Sequence, residues 1–470
     1  MSLAAALGQS RAGLSAVAVW AEATSSNIAN ADRPDYVRAD VRRNVGRDGG
    51  LTGAHVARAR SDALDAMLRT SSAREARQEA IAGGLALYAA RLGQPGDPGT
   101  LGAELADLEA AFARLALAPE QAGRQRAALD AAEGFAGTLR GVSDALDEAE
   151  ARLRDRVTAS VAELNAGLRR VAADLEERGR ADADGAPDAA VAAELGALAA
   201  LADVRLDANG AGPATLHTPF GAILSEGGDA ATVRFDPATG RLLADGLAGE
   251  VEITPGAPGA RGFAEGRLAG EIEMLREILP RMRAQLDQLA GGLVAAFEAS
   301  DGSLGPGDAG LFTDAGAPLG AGVTEGLAGR IAVNDLARPE AGGAAWRLRD
   351  GLGAIAPGPA GASAQAAAFA DALAAARLFD PAAGLADQAT LLDYAGALVT
   401  GQAGAWIGAE DRRDAFAARG ATLAAARDAV VGVDLDAELQ TLLRIEQSYA
   451  ANSRVIQSLT QMFDSLLAAT

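Results

Sequence analysis

The 470-residue chain contains no cysteine and no lysine, only two histidines, and aromatic residues at 4%. Each absence removes a chemistry. Without cysteine there is no thiol nucleophile, no disulfide and no thiolate metal site. Without lysine there is no P-loop lysine and no Schiff base. His55 and His217 stand far apart, so no HExxH zinc motif exists. No apolar run approaches the roughly 18 residues of a membrane span. Much of the 49% hydrophobic content is alanine, which predicts thinly packed helices.

All 42 basic residues are arginine, set against 63 acidic ones, for a net charge of -21. No basic stripe interrupts that balance. This argues against nucleic acid or an anionic membrane as a partner. The first segment, "MSLAAALGQSRAGLSAVAVWAEA", holds AxA-like triplets but no basic start, and Gln9, Ser10 and Arg11 cut its apolar run. No cleavable signal is expected there.

What the chain does have is heptad spacing at both ends. Leu7, Leu14, Ala21 and Ile28 occupy one position, and Leu3, Ser10, Val17 and Thr24 the adjacent one. Near the other end Leu435, Leu442, Tyr449, Ile456 and Phe463 recur every seven residues, with Ile445, Asn452, Leu459 and Leu466 on the companion position. Asp434 suits an N-cap, and Asp436 and Glu438 suit the positive end of the helix dipole. The spacing fits a coiled coil between the two ends, and equally two amphipathic helices packed on a core.

Between the ends the texture changes twice. Residues 60 to 180 read as long helices interrupted at "LGQPGDPGT". The runs "ADVRLDA", "ATLHTPFGAILSEG", "ATVRFDPATGRLLADG" and "GEVEIT" read as short strands with turns between them. Helix returns near 267, where Pro280 marks a kink or a helix start. The expected fold is mainly α with a smaller β-rich insertion. Its parts are 1–45 with 432–470 as a terminal coiled coil; 46–185 with 263–300 and 363–431 as a helical body; 186–262 as the β-rich module; and 301–362 as a Gly-rich loop.

Candidate chemistry is sparse. Gly305, Gly307 and Gly310 match GxGxxG, but no buried strand precedes them, no helix follows, and Asp308 would repel a pyrophosphate. Asp301 and Asp308 lack the alternating oxygens of a calcium loop. There is no GxSxG elbow. No catalytic residue, cofactor or metal is expected, and the chain does not read as an enzyme.

The stretch "SSNIANADRPDYVR" raises a separate question, because asparagine is a poor choice on an exposed helix and a residue before proline leaves the helical region. With Ser26, Asn27, Ile28, Ala29, Asn30, Pro34 and Tyr36 it resembles the N-terminal signature of the bacterial flagellar axial proteins, the rod, hook and hook-associated family. Asp35 stands where that family prefers glycine. The closing segment, with Gln447, Tyr449, Ala451, Asn452, Val455, Ile456, Met462, Asp464, Leu466 and Leu467, is similar to the family's last helix; Arg454 replaces its commoner lysine. "GRLAGEIEMLREILPRMRAQLDQLAGGLVAAFEAS" further resembles a segment of hook-associated protein 1, the first hook–filament junction family.

The resemblance implies a structural protein of the hook–filament junction, needed for filament assembly and built by helical self-assembly. The terminal segments would be largely disordered in the monomer and would pair in the assembly. Implied partners are further copies of the chain, hook protein, the neighbouring junction protein and an export chaperone on the C-terminal helix. The implied location is extracellular, in the flagellum, reached through the flagellar type III channel. Implied assembly residues are Leu7, Leu14, Val17, Asn27, Ile28, Asn30, Pro34, Tyr36, Leu442, Ile445, Tyr449, Asn452, Ile456, Leu459, Phe463 and Leu466. Asn27, Asn30 and Asn452 would set register between helices. Another axial component, or a wall hydrolase on a similar scaffold, are the alternatives.

Overall fold

A computed structural model describes residues 3–33, 36–45, 51–180, 189–207, 213–246, 249–320 and 324–468. Met1–Ser71 and Ala418–Thr470 form one compact unit, and Ser72–Ala417 the other. The chain passes from the first to the second within helix α2 (Asp62–Leu92) and returns within α11 (Leu391–Val431).

The first unit is built from α1 (Leu3–Ala29), a two-stranded antiparallel ribbon of β1 (Ala39–Val45) and β2 (Leu51–Arg58), and α12 (Leu435–Ala468), with the adjoining ends of α2 and α11. Alanine favours α1, and α1 stops where the side chain of Asn30 turns back to donate to the Ser26 carbonyl at 2.8 Å. The carboxylate of Asp434 accepts the Ala437 N–H at 3.1 Å and starts α12. Arg427 pairs with Asp65 at 2.6 Å across α11 and α2. The ribbon falls partly in the segment expected to be helical from residue 46. Its strands are short on apolar alternation, and the register comes from β1–β2 pairing itself.

The second unit has two cores. Around α3 (Leu101–Leu117), the N-terminal half of α4 (Ala122–Arg180), α7 (Leu279–Ser300) and α10 (Ala364–Ala374), four phenylalanines meet. Phe112, Phe312 and Phe369 lie 5.2, 5.0 and 5.0 Å from Phe297, ring centre to ring centre. In a chain with so few aromatic residues, four of them meet at this one place. Pro280 has no N–H to give the Arg276 carbonyl, and the helix widens just before it. A π-turn runs over Met274–Ile278, where the Leu279 N–H reaches back to Met274, and α7 starts with the proline in its first turn.

The Gly-rich stretch is ordered by buried carboxylates. Asp301 accepts the Leu352 N–H at 2.7 Å and the Ser303 hydroxyl at 2.6 Å; Asp350 pairs with Arg349 at 2.5 Å and accepts the Gly358 N–H at 3.0 Å. The short helices α8 (Leu327–Arg330) and α9 (Arg347–Asp350) and a ribbon of Phe312–Asp314 with Ile331–Val333 punctuate it. Between α10 and α11, where helix was expected, Arg377–Leu378 pairs with Gln388–Ala389.

The β-rich module opens with a helix, α5 (Ala189–Leu201), and then forms a four-stranded and a three-stranded antiparallel sheet between Arg205 and Glu252. Its apolar faces, with Leu216, Leu224, Val233 and Leu242, pack on Val157, Leu164, Leu168 and Val171 of α4. In the turn "DPATG" the carboxylate of Asp236 takes the Ala238 N–H and the Thr239 hydroxyl, and Gly240 adopts φ +66°. The edge strand Thr232–Asp236 is closed by a helix side chain. Asn165 donates to the Val233 carbonyl at 2.8 Å and accepts the Val233 N–H at 2.7 Å, standing in for one residue of a missing strand.

Behind this module Glu271, on α6 (Arg267–Glu273), is buried against α4. Ser160 donates to one carboxyl oxygen at 3.2 Å, while the other has no hydrogen-bond partner. Burial pushes this carboxyl above the usual range, opposed by Ser160 and by nearby Arg267 and Arg156. A raised folded-state pKa means that its stabilising contribution is complete below the unfolded glutamate value and is lost as pH rises through the folded value. Glu271→Gln should therefore stabilise the protein at neutral pH by about 1 kcal/mol, with the gain vanishing toward the ordinary glutamate range near 4. Thermal unfolding measured across pH checks it; a gain that grows on acidification would contradict the assignment.

Candidate assembly interface: an asparagine clasp between the chain ends

Two close approaches fix how α1 and α12 pair. The Asn27 side chain donates to a carboxylate oxygen of Glu438 at 2.9 Å, and a Cβ on Gly13 would lie 3.2 Å from the amide oxygen of Asn452. Fourteen residues separate Gly13 from Asn27, and fourteen separate Glu438 from Asn452. The helices therefore run antiparallel in one-to-one register.

Asn27 is 1% exposed and uses all its hydrogen-bonding capacity. Its oxygen accepts the Ala39 N–H at 2.8 Å and the Tyr36 hydroxyl at 2.9 Å. Its nitrogen donates to the Ala39 carbonyl at 3.0 Å as well as to Glu438. Ala39 pairs with Arg58 in the ribbon, and the Ala59 N–H reaches the Arg38 carbonyl at 2.8 Å, which leaves both polar groups of Ala39 on the outer edge of β1. Asn27 fills that edge as Asn165 does in the other unit. Tyr36 also hydrogen-bonds Ser26 at 3.1 Å and carries Arg58 over its ring at 5.1 Å. Arg43 lies over Trp20 at 5.1 Å and holds the ribbon to α1.

Heptad spacing is present in both helices, but burial selects one row in each. On α1 the buried residues are Ser10, Val17 and Thr24, with Ala16, Ala23 and Asn27, whereas Leu7, Leu14 and Ile28 are half-buried. On α12 the buried row is Glu438, Ile445 and Leu459, with Asn452 half-buried in the same row. Leu442 and Ile456 are half-buried and Tyr449 is 59% exposed. Asn30 bonds within its own turn rather than across helices. Pro34 and the side chains of Phe463 and Leu466 lie outside the described residues.

Sequence spacing thus brings Asn27, Tyr36, Val17, Ile445, Asn452 and Leu459 to one seam. It missed Glu438 and the Ala39 backbone. Glu438 was assigned to the helix dipole, although it precedes Ile445, Asn452 and Leu459 by whole heptads. Among the described residues no cluster of three or more His, Asp or Glu is arranged to hold a metal ion, and no helix is long and apolar enough to cross a membrane.

No curated protein sequence matches the chain. The solved structure of the flagellar hook junction protein FlgK from Burkholderia pseudomallei is similar at 16% identity and a TM-score of 0.44, over 53% of this chain and 46% of that one. The matched part thus spans about half of that protein's length. Residues 93–303 match the family model of the flagellar hook-associated protein FlgK helical domain. Residues 429–469, which contain all of α12, match that of the flagellar basal body rod FlgEFG protein C-terminal segment. Residues 93–303 of this chain are thus similar to the helical domain of a flagellar hook-associated protein, and its closing segment to that of the flagellar rod proteins.

Proposed function

We propose that this chain is a structural adaptor that joins hook to filament by helical self-assembly and is required for filaments to grow. Its subunits add head to tail with non-closing symmetry, so every interface is heterologous. The terminal segments, 1–45 with 432–470, form the inner layer, and the remaining domains set subunit spacing outside it. Hook protein lies below, the neighbouring junction protein and filament above. A chaperone covers the C-terminal helix before unfolded export through the flagellar channel to the extracellular structure. The role is mechanical, not catalytic.

One observation carries this reading: beside Val17, Ile445 and Leu459 the terminal pair buries mainly small and polar residues, and it leaves other large apolar ones outside. Leu435, Leu439 and Leu443, four residues apart, form an exposed ridge beside the buried seam of α12, next to Tyr449. A helix of 34 residues that spends its best apolar row on solvent needs neighbours to cover it. Leu7, Leu14, Ile28, Leu442 and Ile456, half-buried in the single chain, are further contact residues in this reading.

The test is to replace Leu439 and Leu443 together by aspartate. The helix content of the purified chain should stay within a few per cent, because neither residue is in the buried seam. Cells carrying the variant should secrete flagellin but bear few filaments. Normal filament number and length would contradict the proposal.

A further inference from the structure

The apolar part of the α1–α12 seam does little to choose a register. α1 contributes Gly13, Ala16, Val17 and Ala23, which are small, and α12 offers Ile445 and Leu459 at whole-heptad intervals. A slide by seven residues sets Ile445 or Leu459 against Gly13 in place of Asn452, which keeps an aliphatic residue facing small ones. Slides of this kind are weakly opposed where side chains are interchangeable.

We infer that Glu438 is the register-determining residue of the terminal pair, acting through Asn27. The inference is independent of self-assembly, since both groups belong to one chain. In the observed register Asn27 gives its second amide proton to Glu438, which is itself 8% exposed. That side chain cannot turn away to find another acceptor. Its oxygen is committed to the Ala39 N–H and the Tyr36 hydroxyl, and its first proton to the Ala39 carbonyl.

Sliding α12 one heptad in one direction sets Asn27 against Ile445. Sliding it the other way leaves Asn27 beyond the first residue of α12 and sets Glu438 against Trp20. Either slide leaves a buried amide proton without an acceptor, and the second also buries a carboxylate beside an indole ring. A lost partner at a charged buried group is strongly unfavourable. Of the two approaches that fix the pairing, the polar one therefore opposes a slide most strongly, and Asn27 transmits the position of α12 to the edge of β1.

The absence of cysteine makes the test direct. Cysteine pairs are placed in the full chain at Gly13 with Asn452, in register, and at Gly13 with Ile445 or with Leu459, one heptad out. With Glu438 present the Gly13–Asn452 disulfide should dominate at least tenfold. Glu438→Gln keeps an acceptor and should behave the same. Glu438→Leu should raise the slipped disulfides to comparable yield. Because that variant could instead unpair the helices, a second one moves the acceptor: Glu438→Ile with Ile445→Glu should shift the register by seven and make Gly13–Leu459 the main product. Gly13–Asn452 remaining dominant in both variants, or no disulfide forming in the relocated one, would overturn the assignment.

Discussion

Asn27→Ala should destabilise the terminal unit by about 3 kcal/mol, because one truncation leaves three buried groups without partners. The Ala39 N–H, the Ala39 carbonyl and the Glu438 carboxylate all depend on this side chain. Water cannot easily replace it at a position that is 1% exposed. Asn27→Asp should be worse than alanine at neutral pH. The nitrogen becomes a second carboxylate oxygen that faces the Ala39 carbonyl and Glu438, where only repulsion is available. The measurement is thermal unfolding followed by Trp20 fluorescence in a Trp346→Phe, Trp406→Phe background, since Trp20 is the one tryptophan within the terminal unit. The order wild type, alanine, aspartate is expected. Equal stability of the alanine variant and wild type would show that the clasp is ornamental.

Phe297→Ala should have an effect as large on the other unit, about 4 kcal/mol. Phe297 is fully buried and touches three other rings in edge-to-face or tilted contact. The same core holds alanines such as Ala111, Ala290 and Ala366 on packed helices, which resist closing a gap. Replacement therefore removes both the transfer free energy of a large ring and the ring–ring terms, and leaves a cavity. Trp406, which packs against the same core, reports the transition. Phe297→Leu, with more volume retained, should cost roughly half as much. An alanine cost below about 1 kcal/mol would mean that the core collapses around the gap.

These effects bear on how much was readable from the chain. Heptad spacing revealed both terminal helices, and "DPATG" gave a turn whose residues do what their side chains allow. The heptads did not reveal which row faces inward. Hydrophobic content favours the Leu442–Tyr449–Ile456 row, yet the seam takes the row with Glu438 and Asn452, because close approach at Gly13 and the hydrogen bonds of Asn27 need small and polar partners. Burial of that kind depends on a residue more than 400 positions away, which no local pattern encodes. The ribbon after Tyr36 was equally hidden. Its outer edge is completed by a helix side chain, so its sequence needs neither strong alternation nor a third strand. Pro280 was legible only as a disturbance, and the π-turn ahead of it is the form that disturbance takes.

Asn27 and Asn165 use the same device in the two units, a helix asparagine pairing both backbone groups of an edge-strand residue. In the terminal unit the device carries an additional link, to Glu438, and so joins the first helix, the ribbon and the last helix at one side chain. This answers why asparagine sits at a position where helix propensity argues against it: the residue serves the strand and the partner helix more than its own helix.

Electron microscopy of cells lacking this gene, with flagellin assayed in the medium, tests the adaptor role most directly. Bare hooks together with secreted monomeric flagellin are the expected result. Cells without hooks would move the protein to the rod or hook, and normal filaments would contradict a junction role altogether.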